Sequence, residues 1–529
     1  MQQALSGRVV DSNGEPLVGA SVKQLGTSRG TVTDGDGKFL LNVAPGTKLI
    51  VSYVGSKDRI VKASQSMNIV LDDDVSSIDE VVVVGYGTQK KANLSGAVAT
   101  ADTKKLANRP ANNIGSALEG AVANLNIDPV SGDPNDLPSF NIRGFTSING
   151  GSPLVVIDGV ISDAVQLNHL NPADIANISV LKDAASAAIY GSRAAYGVIL
   201  VTTKTGNSEK VTVNYNGNFD WRGLTVKPDY VDDPSVYYHD RNQADTGNPN
   251  SGSWPTEMFE AIDKWKADPA NNPDHYYMAA WDEYFGFKFF NPADTYIKNN
   301  AFSTTHNINI SGKTDKVNYY LSGAYQYQDG MIKVGTNTYN QYNTRAKLDI
   351  QITPWWKIGS NTSLISTLYN ASTSYMQKHD DTNRSPWGYG TVMETLMSII
   401  PFGWSMSTPG SDFVYDWATD AGRLKYGGMS KKHDTTVGQQ FTTRIDILKN
   451  VLFLNGQYNF SLQKVSTDMT HLPFMGSGGF DSGTWENDAP SWSSFTNSRV
   501  RHITFETYAT FHKLFADKHD VTAILGFNQ

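Results

Sequence analysis

At 529 residues the chain exceeds what one ordinary hydrophobic core organises, so two or more domains are expected. Charged residues are 18% and aromatics 11%, a balance that favours packed structure over a chain kept open by charge. A net charge of −8 argues against bulk binding to nucleic acid or anionic lipid, and the lack of cysteine excludes disulfides, thiolate metal sites and a cysteine nucleophile. Asn, Thr, Ser, Gly and Tyr are plentiful, which suits polar-lined β structure. No apolar run reaches the length of a membrane helix, which leaves membrane strands untouched as a reading. No apolar leader follows Met1, and Gln2 to Leu5 is compatible with a mature start.

Residues 1–75 read as the first domain. Val9, Leu17, Val18, Val22, Phe39, Leu41, Val43, Leu49, Val51 and Tyr53 fall in short extended runs. Asn13-Gly14, Asp34-Gly35-Asp36-Gly37 and Pro45-Gly46 separate them, a spacing that predicts a compact β-sandwich. Asp34 and Asp36 share features with a calcium loop. Lys38 occupies a position where an acid is wanted, and no bidentate Glu follows, so the stretch reads as a hairpin turn.

Residues 76–92 form a linker with one apolar island, DEVVVVGYGTQKK from Asp79 to Lys91. Val81 to Val84 are enough for a strand and too few for a core. Acidic and flexible residues precede them, and Gly85 and Gly87 break regular structure after them. Two readings stand. The run is the last strand of the first domain, or it adds to the edge of another protein's sheet. Gly85-Tyr86-Gly87 lacks the third glycine and the Lys-Ser/Thr of a phosphate loop, so no nucleotide site is read there.

Residues 93–208 read as a small α/β unit. Ile114, Leu118 and Val122 share helical spacing. Leu154 to Ile157, Ile178 to Leu181 and Val198 to Thr203 are strands, Asp158-Gly159 is a turn, and Ala184 to Tyr190 is a short helix with Gly191 as its C-cap. Arg143, Lys182, Asp183 and Arg193 are charges in an otherwise apolar unit. Buried charges need partners, and the simplest account pairs them with whatever encloses this unit; a direct role towards substrate is the other.

From residue 209 to 529 the period becomes two. Val213, Tyr215, Phe219 and Trp221 alternate with Asn214, Asn216, Asn218 and Asp220, and the pattern recurs downstream. Strands are expected near 211–221, 305–312, 316–328, 339–352, 356–369, 437–448, 451–464, 500–514 and 518–528. One face suits lipid and the other water, at the length of about 9–11 residues that a tilted membrane strand needs. The gaps alternate long and short. Outer-membrane barrels have short periplasmic turns and long outer loops, which puts the valine run in the periplasm. The fold class is therefore mainly β: an N-terminal β-sandwich, a small α/β domain, which the family resemblance given below makes a plug domain, then antiparallel transmembrane β-barrel strands of an incomplete barrel. About nine strands would leave two open edges in lipid, so the expectation is the N-terminal part of a longer protein.

None of the ten histidines begins H-E-x-x-H or H-x-x-E, so no zinc peptidase site, metal site or cofactor site is read, and no enzyme activity. The long gaps carry Trp254, Trp265, Trp281, Tyr284, Phe285, Trp387, Tyr389, Phe402, Trp404, Trp417, Trp485 and Trp492. These rings fit sugar or peptide ligands, a partner protein, or a membrane girdle.

Several of these stretches carry a family resemblance. GRVVDSNGEPLVGASV, GTVTDGDGKFLL and PGTKLIVSYVG resemble the carboxypeptidase-regulatory-like domain. NIRGF, PLVVIDGV and VLKDAASAAIYGSRAAYGVILVTTKTG resemble the plug of SusC-like TonB-dependent outer-membrane transporters, the SusC/RagA family, and DEVVVVGYGTQKK resembles their TonB-box region. The resemblance implies TonB-dependent import of oligosaccharide or peptide, with a SusD-like lipoprotein as lid and the TonB-ExbB-ExbD complex as drive. It implies TonB contact through Asp79, Glu80, Val81, Val82, Val83, Val84, Gly85, Tyr86 and Gly87, and plug–barrel contacts through Arg143, Lys182, Asp183 and Arg193. It implies residence in the outer membrane of a Gram-negative, Bacteroidota-type bacterium, in contact with outer-membrane lipid, with the N-terminal domains periplasmic and no nucleic-acid partner. A siderophore or cobalamin receptor, and a surface binding protein without transport, are the alternatives.

Overall fold

The structure is a computed structural model. It describes most of the chain from Gln3 to Gln529; residues 72–80, 91–97, 102–108, 145–150, 374–395, 404–413, 478–482 and shorter stretches lie outside the described residues. The chain divides into two compact units, Met1–Val98 and Ala99–Gln529.

The first unit opens with β1 (Gln3–Val10), β2 (Ser21–Gln24), β3 (Gly30–Val32), β4 (Lys38–Val43), β5 (Lys48–Ser52), β6 (Arg59–Lys62) and β7 (Ser66–Val70). They form two sheets, ordered β4-β1-β7 and β3-β2-β5-β6. Burial alternates residue by residue along β4, and Leu5, Val9, Val22, Leu41, Val43, Leu49, Val51 and Ile69 make one core. The Asp34 stretch is a turn, but not of a hairpin: it carries the chain from β3 in one sheet to β4 in the other. The Asp34 carboxylate accepts the backbone N–H groups of Asp36 and Lys38, at 3.0 and 2.8 Å. The valine run is β8 (Val81–Val84), paired antiparallel with β9 (Gly87–Lys90) in a two-stranded sheet of its own, outside both sandwich sheets.

The second unit begins with a five-stranded α/β sheet. The strands of this region, in chain order, are β10 (Val98–Ala101), β11 (Leu125–Asp128), β12 (Ser139–Ile142), β13 (Leu154–Ile157), β14 (Val160–Ser162), β15 (Ile175–Leu181) and β16 (Val198–Thr203). The main sheet runs β10-β15-β16-β13-β14, and β11 pairs with β12 apart from it. β13 and β16 are parallel and covered, which is why both read as unbroken apolar runs. Helix Ile114–Leu118 is a single short piece, N-capped by the Asn113 side chain, and Gly120 at φ +68° ends that run. Gly191 is not a C-cap; it sits at φ 60°, ψ −146° as a kink inside the 3-10 stretch Ala188–Ala194.

A nine-stranded antiparallel sheet follows. Its strands are β17 (Thr212–Arg222), β20 (Ala301–Lys313), β21 (Val317–Asp329), β22 (Asn337–Thr353), β23 (Trp356–Ser372), β25 (Met429–Leu448), β26 (Leu452–His471), β29 (Trp492–Phe515) and β30 (His519–Asn528), each paired with the next. Shorter strands β18 (Tyr276–Met278), β19 (Tyr284–Gly286), β24 (Val414–Tyr415), β27 (Phe474–Ser477) and β28 (Gly483–Glu486) lie in the long connections. The short connections, 314–316, 354–355, 449–451 and 516–518, all fall at one end of the sheet, and the long ones at the other. All nine strands occur where alternation predicts them. Three run further at the long-connection end: β25 starts at Met429 rather than near 437, β26 ends at His471 rather than near 464, and β29 starts at Trp492 rather than near 500. There the outward positions turn polar (Lys431, Lys464, Ser466, Arg499), so the apolar alternation stops while the backbone ladder continues.

The faces differ as a membrane wall requires. Tyr215, Phe219, Trp221, Leu321, Leu364, Phe441, Tyr458 and Phe505 stand exposed on the outer face. Asn307, Asn309, Gln326, Gln341, Asn343, Arg345, Gln440 and Asn459 are covered on the inner face. Placing an arginine at Leu321, midway along β21, costs about 2–4 kcal/mol of stability in a bilayer. Denaturant unfolding of the Leu321→Arg variant in lipid vesicles measures it; an unchanged midpoint contradicts the outward assignment.

Candidate functional site

The α/β unit meets the inner face of the sheet through a buried polar knot. Its centre is the two-residue turn between β13 and β14. Asp158 and Gly159 both have positive φ, 49° and 85°, as a type I′ hairpin demands. This turn presents Asp158 to the wall. The Asp158 carboxylate accepts from Thr203 N–H (2.9 Å), Thr203 Oγ1 (2.6 Å), Asn361 Nδ2 (2.9 Å) and Lys347 Nζ (3.3 Å). Arg345 Nη1 stands 3.8 Å away, and Gln440 Nε2 donates to the Asp158 carbonyl at 2.8 Å.

Arg345 also faces a second acid of the α/β unit, with Nε 3.8 Å from Asp174 Oδ2. Tyr320 Oη donates to the other Asp174 oxygen at 2.8 Å. Around this pair the His169 carbonyl accepts from Gln341 Nε2 (2.9 Å) and Asn343 Nδ2 (2.7 Å), and Tyr369 Oη donates to Asp133 at 2.8 Å. Five wall strands, β21, β22, β23, β25 and β26, thus carry the inner face that the α/β unit rests against; Gln457 of β26 approaches Gly159.

The two acids differ electrostatically. Burial pushes the Asp158 carboxyl up, but Lys347, Arg345 and the Thr203 bonds together outweigh it and hold the group below its ordinary value. Burial dominates at Asp174 and raises it, in spite of Arg345, Ser322 and Tyr320. Burial, with Lys432 nearby, pushes His169 down to about 4, so its ring is neutral at physiological pH. Lys204 is lowered by burial and partly restored by Asp174.

Other residues than those singled out from sequence therefore make these ion pairs. Lys182 Nζ donates to the Ala123 carbonyl, within the α/β unit. Asp183 is half-buried, and its carbonyl accepts the Ala187 N–H. Arg193 is exposed and borders a cavity of about 460 Å³ between the β13–β14 hairpin and the wall, with Gln166, Asn361, Gln440 and Glu506. Arg143 lies outside the described residues. Asp158 and Arg345 carry a signal that the sequence shows only faintly: an acid at a turn tip, and cations at alternate, inward positions of a membrane strand.

The loop aromatics take a role not read from sequence. Tyr238, Phe285, Phe287 and Phe402 are buried together with Met258 and Ile262, and Trp254, Trp265 and Phe289 pack against them. Helices Pro234–Thr246 and Thr256–Ala267 supply part of this cluster, and Tyr238 Oη donates to the Gly286 carbonyl at 2.8 Å. Trp254, Trp265, Phe285 and Phe402 thus build a small core of their own rather than a ligand face. Trp492 stacks on His471 at 5.3 Å. Tyr284 lies on β19 and Trp485 on β28, while Trp281, Trp387, Tyr389, Trp404 and Trp417 lie outside the described residues, as do Asp79, Glu80, Gly85 and Tyr86.

Asp158→Asn leaves Lys347 and Arg345 short of a buried counter-charge, which costs about 3–5 kcal/mol. Asp174→Asn costs less, because burial already opposes its charge. Amide exchange at Ile199–Thr203 in the full-length protein reads both; equal loss of protection in the two variants contradicts this ranking.

The CarboxypepD_reg-like domain family matches residues 5–83, and the TonB-dependent Receptor Plug Domain family matches residues 90–198. TonB-dependent receptor SusC of Bacteroides thetaiotaomicron is 32% identical over 362 residues, 66% of this chain and 32% of that protein. TonB-dependent receptor P39 of Formosa agariphila is 25% identical over 544 residues, 100% of this chain and 46% of its own length. The chain spans less than half the length of these curated relatives. The RagAB peptide importer in its open-open state shares the fold, with a TM-score of 0.66 at 22% identity over 85% of this chain and 48% of that one. Its two matched domains, its relatives and its fold are those of a SusC-like TonB-dependent receptor.

Proposed function

We propose that the protein imports oligosaccharide or peptide across the bacterial outer membrane, driven from the periplasm by TonB-ExbB-ExbD and served by a SusD-like lipoprotein outside. The observation that carries this reading is the α/β unit held by buried ion pairs to the wet face of a sheet whose other face is apolar. Such a unit blocks a pore unless it is moved. Residues 1–75 serve as a periplasmic sandwich, 76–92 as the coupling linker, 93–208 as the plug and 209–529 as barrel wall. The membrane is that of a Gram-negative, Bacteroidota-type cell.

The mechanism makes and breaks no covalent bond. β8 pairs with β9 along one edge, and a two-stranded hairpin is marginally stable alone. Its other edge, or the edge freed when β9 peels off, accepts a strand of TonB, with Asp79, Glu80, Gly85, Tyr86 and Gly87 flanking the four valines. A pull on this segment loads the plug from its N-terminal side, where β10 is an edge strand of the sheet. Asp158, in the β13–β14 turn at the other edge of that sheet, is held by the wall and resists. The cavity beside the β13–β14 hairpin is the space that a shift of the plug enlarges. The aromatic-cored helices in the 223–300 connection stand at the outer end and offer the lipoprotein a rigid rim.

Prolines at Val82 and Val83 remove ladder donors and leave the sequence of plug and wall unaltered. The double variant is expected to assemble normally and to lose uptake of labelled oligosaccharide or peptide. Uptake at the native rate, with normal surface levels, overturns strand coupling through Val81–Val84.

A further inference from the structure

The outer face of the wall carries a cluster of cations at one height and on two adjacent strands, β26 and β29. Along β26 the outward positions are Leu452, Leu454, Gly456, Tyr458, Phe460 and Leu462, and then Lys464. The register sets Val437 and Arg501 beside Leu462, and Thr435 and Arg499 beside Lys464. Leu452 to Leu462 is ten residue steps. At about 3.3 Å each and a tilt of about 40°, these span about 25 Å, the height of a barrel's apolar band. Lys464, Arg499 and Arg501 therefore stand just above that band, at the end with the long connections.

Lys464 and Arg499 are directly opposite each other, and Arg501 is their diagonal neighbour. Like charges so placed repel. The outward carboxylate on these strand ends is Asp468, and it is opposite Lys431. Among the described residues no ion pair meets Lys464, Arg499 or Arg501, and all three are exposed. A net charge of −8 makes this local excess stand out, since nothing in the bulk balance calls for it. The missing counter-charge must be small, anionic and carried at the outer headgroup level. Below it, Tyr458, Phe460, Leu462, Ile503 and Phe505 form an apolar slope on the same face.

We propose that Lys464, Arg499 and Arg501 bind the phosphate of a phosphorylated outer-leaflet glycolipid, lipid A, whose acyl chains lie on that slope. Two guanidinium forks two residues apart on one strand suit the oxygens of a phosphate monoester, and the lysine adds a point charge. The placement rests on the orientation in the proposed function; the cluster itself does not.

The test uses the full-length protein in detergent and native mass spectrometry with monophosphoryl lipid A. The Lys464→Gln, Arg499→Gln, Arg501→Gln triple variant is expected to lose at least tenfold in affinity, and the native protein to bind dephosphorylated lipid A at least tenfold more weakly. Phosphatidylglycerol is expected to bind more weakly than monophosphoryl lipid A. Equal binding by native and triple variant overturns the site, and equal binding of phosphatidylglycerol overturns the glycolipid as its occupant. Heat-modified gel mobility checks that the variant folds; if it does not, Arg499→Gln alone gives the same reading with a smaller loss. Because the chain has no cysteine, Ser493→Cys is a clean orientation marker. Labelling of intact cells by an impermeant maleimide, together with unaltered lipid A binding in the triple variant, sinks this inference and spares the importer. Labelling only after the outer membrane is opened sinks the orientation, and the importer reading with it.

Discussion

A carboxylate removed from water survives as an anion only where its charge is met on several sides, and Asp158 meets that condition. A lysine, an arginine, an asparagine side chain, and both an amide and a hydroxyl of Thr203 converge on it. Three of these groups belong to the wall and two to the plug's own sheet. The acid is therefore meaningful only when the two parts are docked. Pulled away, it leaves Lys347 and Arg345 facing one another on an inner wall with their main counter-ion gone. That asymmetry makes the docked arrangement a definite state rather than a loose fit.

Asp174 is built on the opposite compromise. Its burial outweighs its partners, so it contributes position more than charge. Arg345 lies between the two acids, near 3.8 Å from each, longer than a close ion pair. One strongly held acid and one weakly held acid around a shared guanidinium give a contact that is firm at one end and yielding at the other. Under the proposed function, a plug that opens under load and closes again benefits from that gradient. The polar inner face supplies the rest: amides from Gln341, Asn343 and Gln440 reach main-chain carbonyls of the plug.

Much of the fold is legible in the sequence because it follows from periodicity. Alternation from Val213 onward marks every wall strand, and the unequal gaps separate the two rims. Alternation failed where its cause ceased: beyond Leu462 the outward side chains Lys464, Ser466, Lys431 and Arg499 are polar, so β25, β26 and β29 continue without an apolar stripe. Covered parallel strands such as Leu154–Ile157 and Val198–Thr203 were readable as apolar runs. The knot was not, since Asp158 is one acid in a common turn and its partners lie far along the chain, Lys347 being 189 residues away. Lys182 and Arg193 looked equally deserving of partners from sequence. Nor does composition distinguish a tryptophan that builds a loop core, such as Trp254, from one that greets a ligand.

The central claim is that Asp158 and Lys347 act as a unit across the plug–wall contact, and a double-mutant cycle tests it most directly. Asp158→Asn, Lys347→Met and the pair are compared by exchange protection of the Thr203 amide in the full-length protein. The account predicts a coupling of at least about 1 kcal/mol, with the double variant better protected than the sum of the singles implies. Additivity within about 0.5 kcal/mol would contradict it.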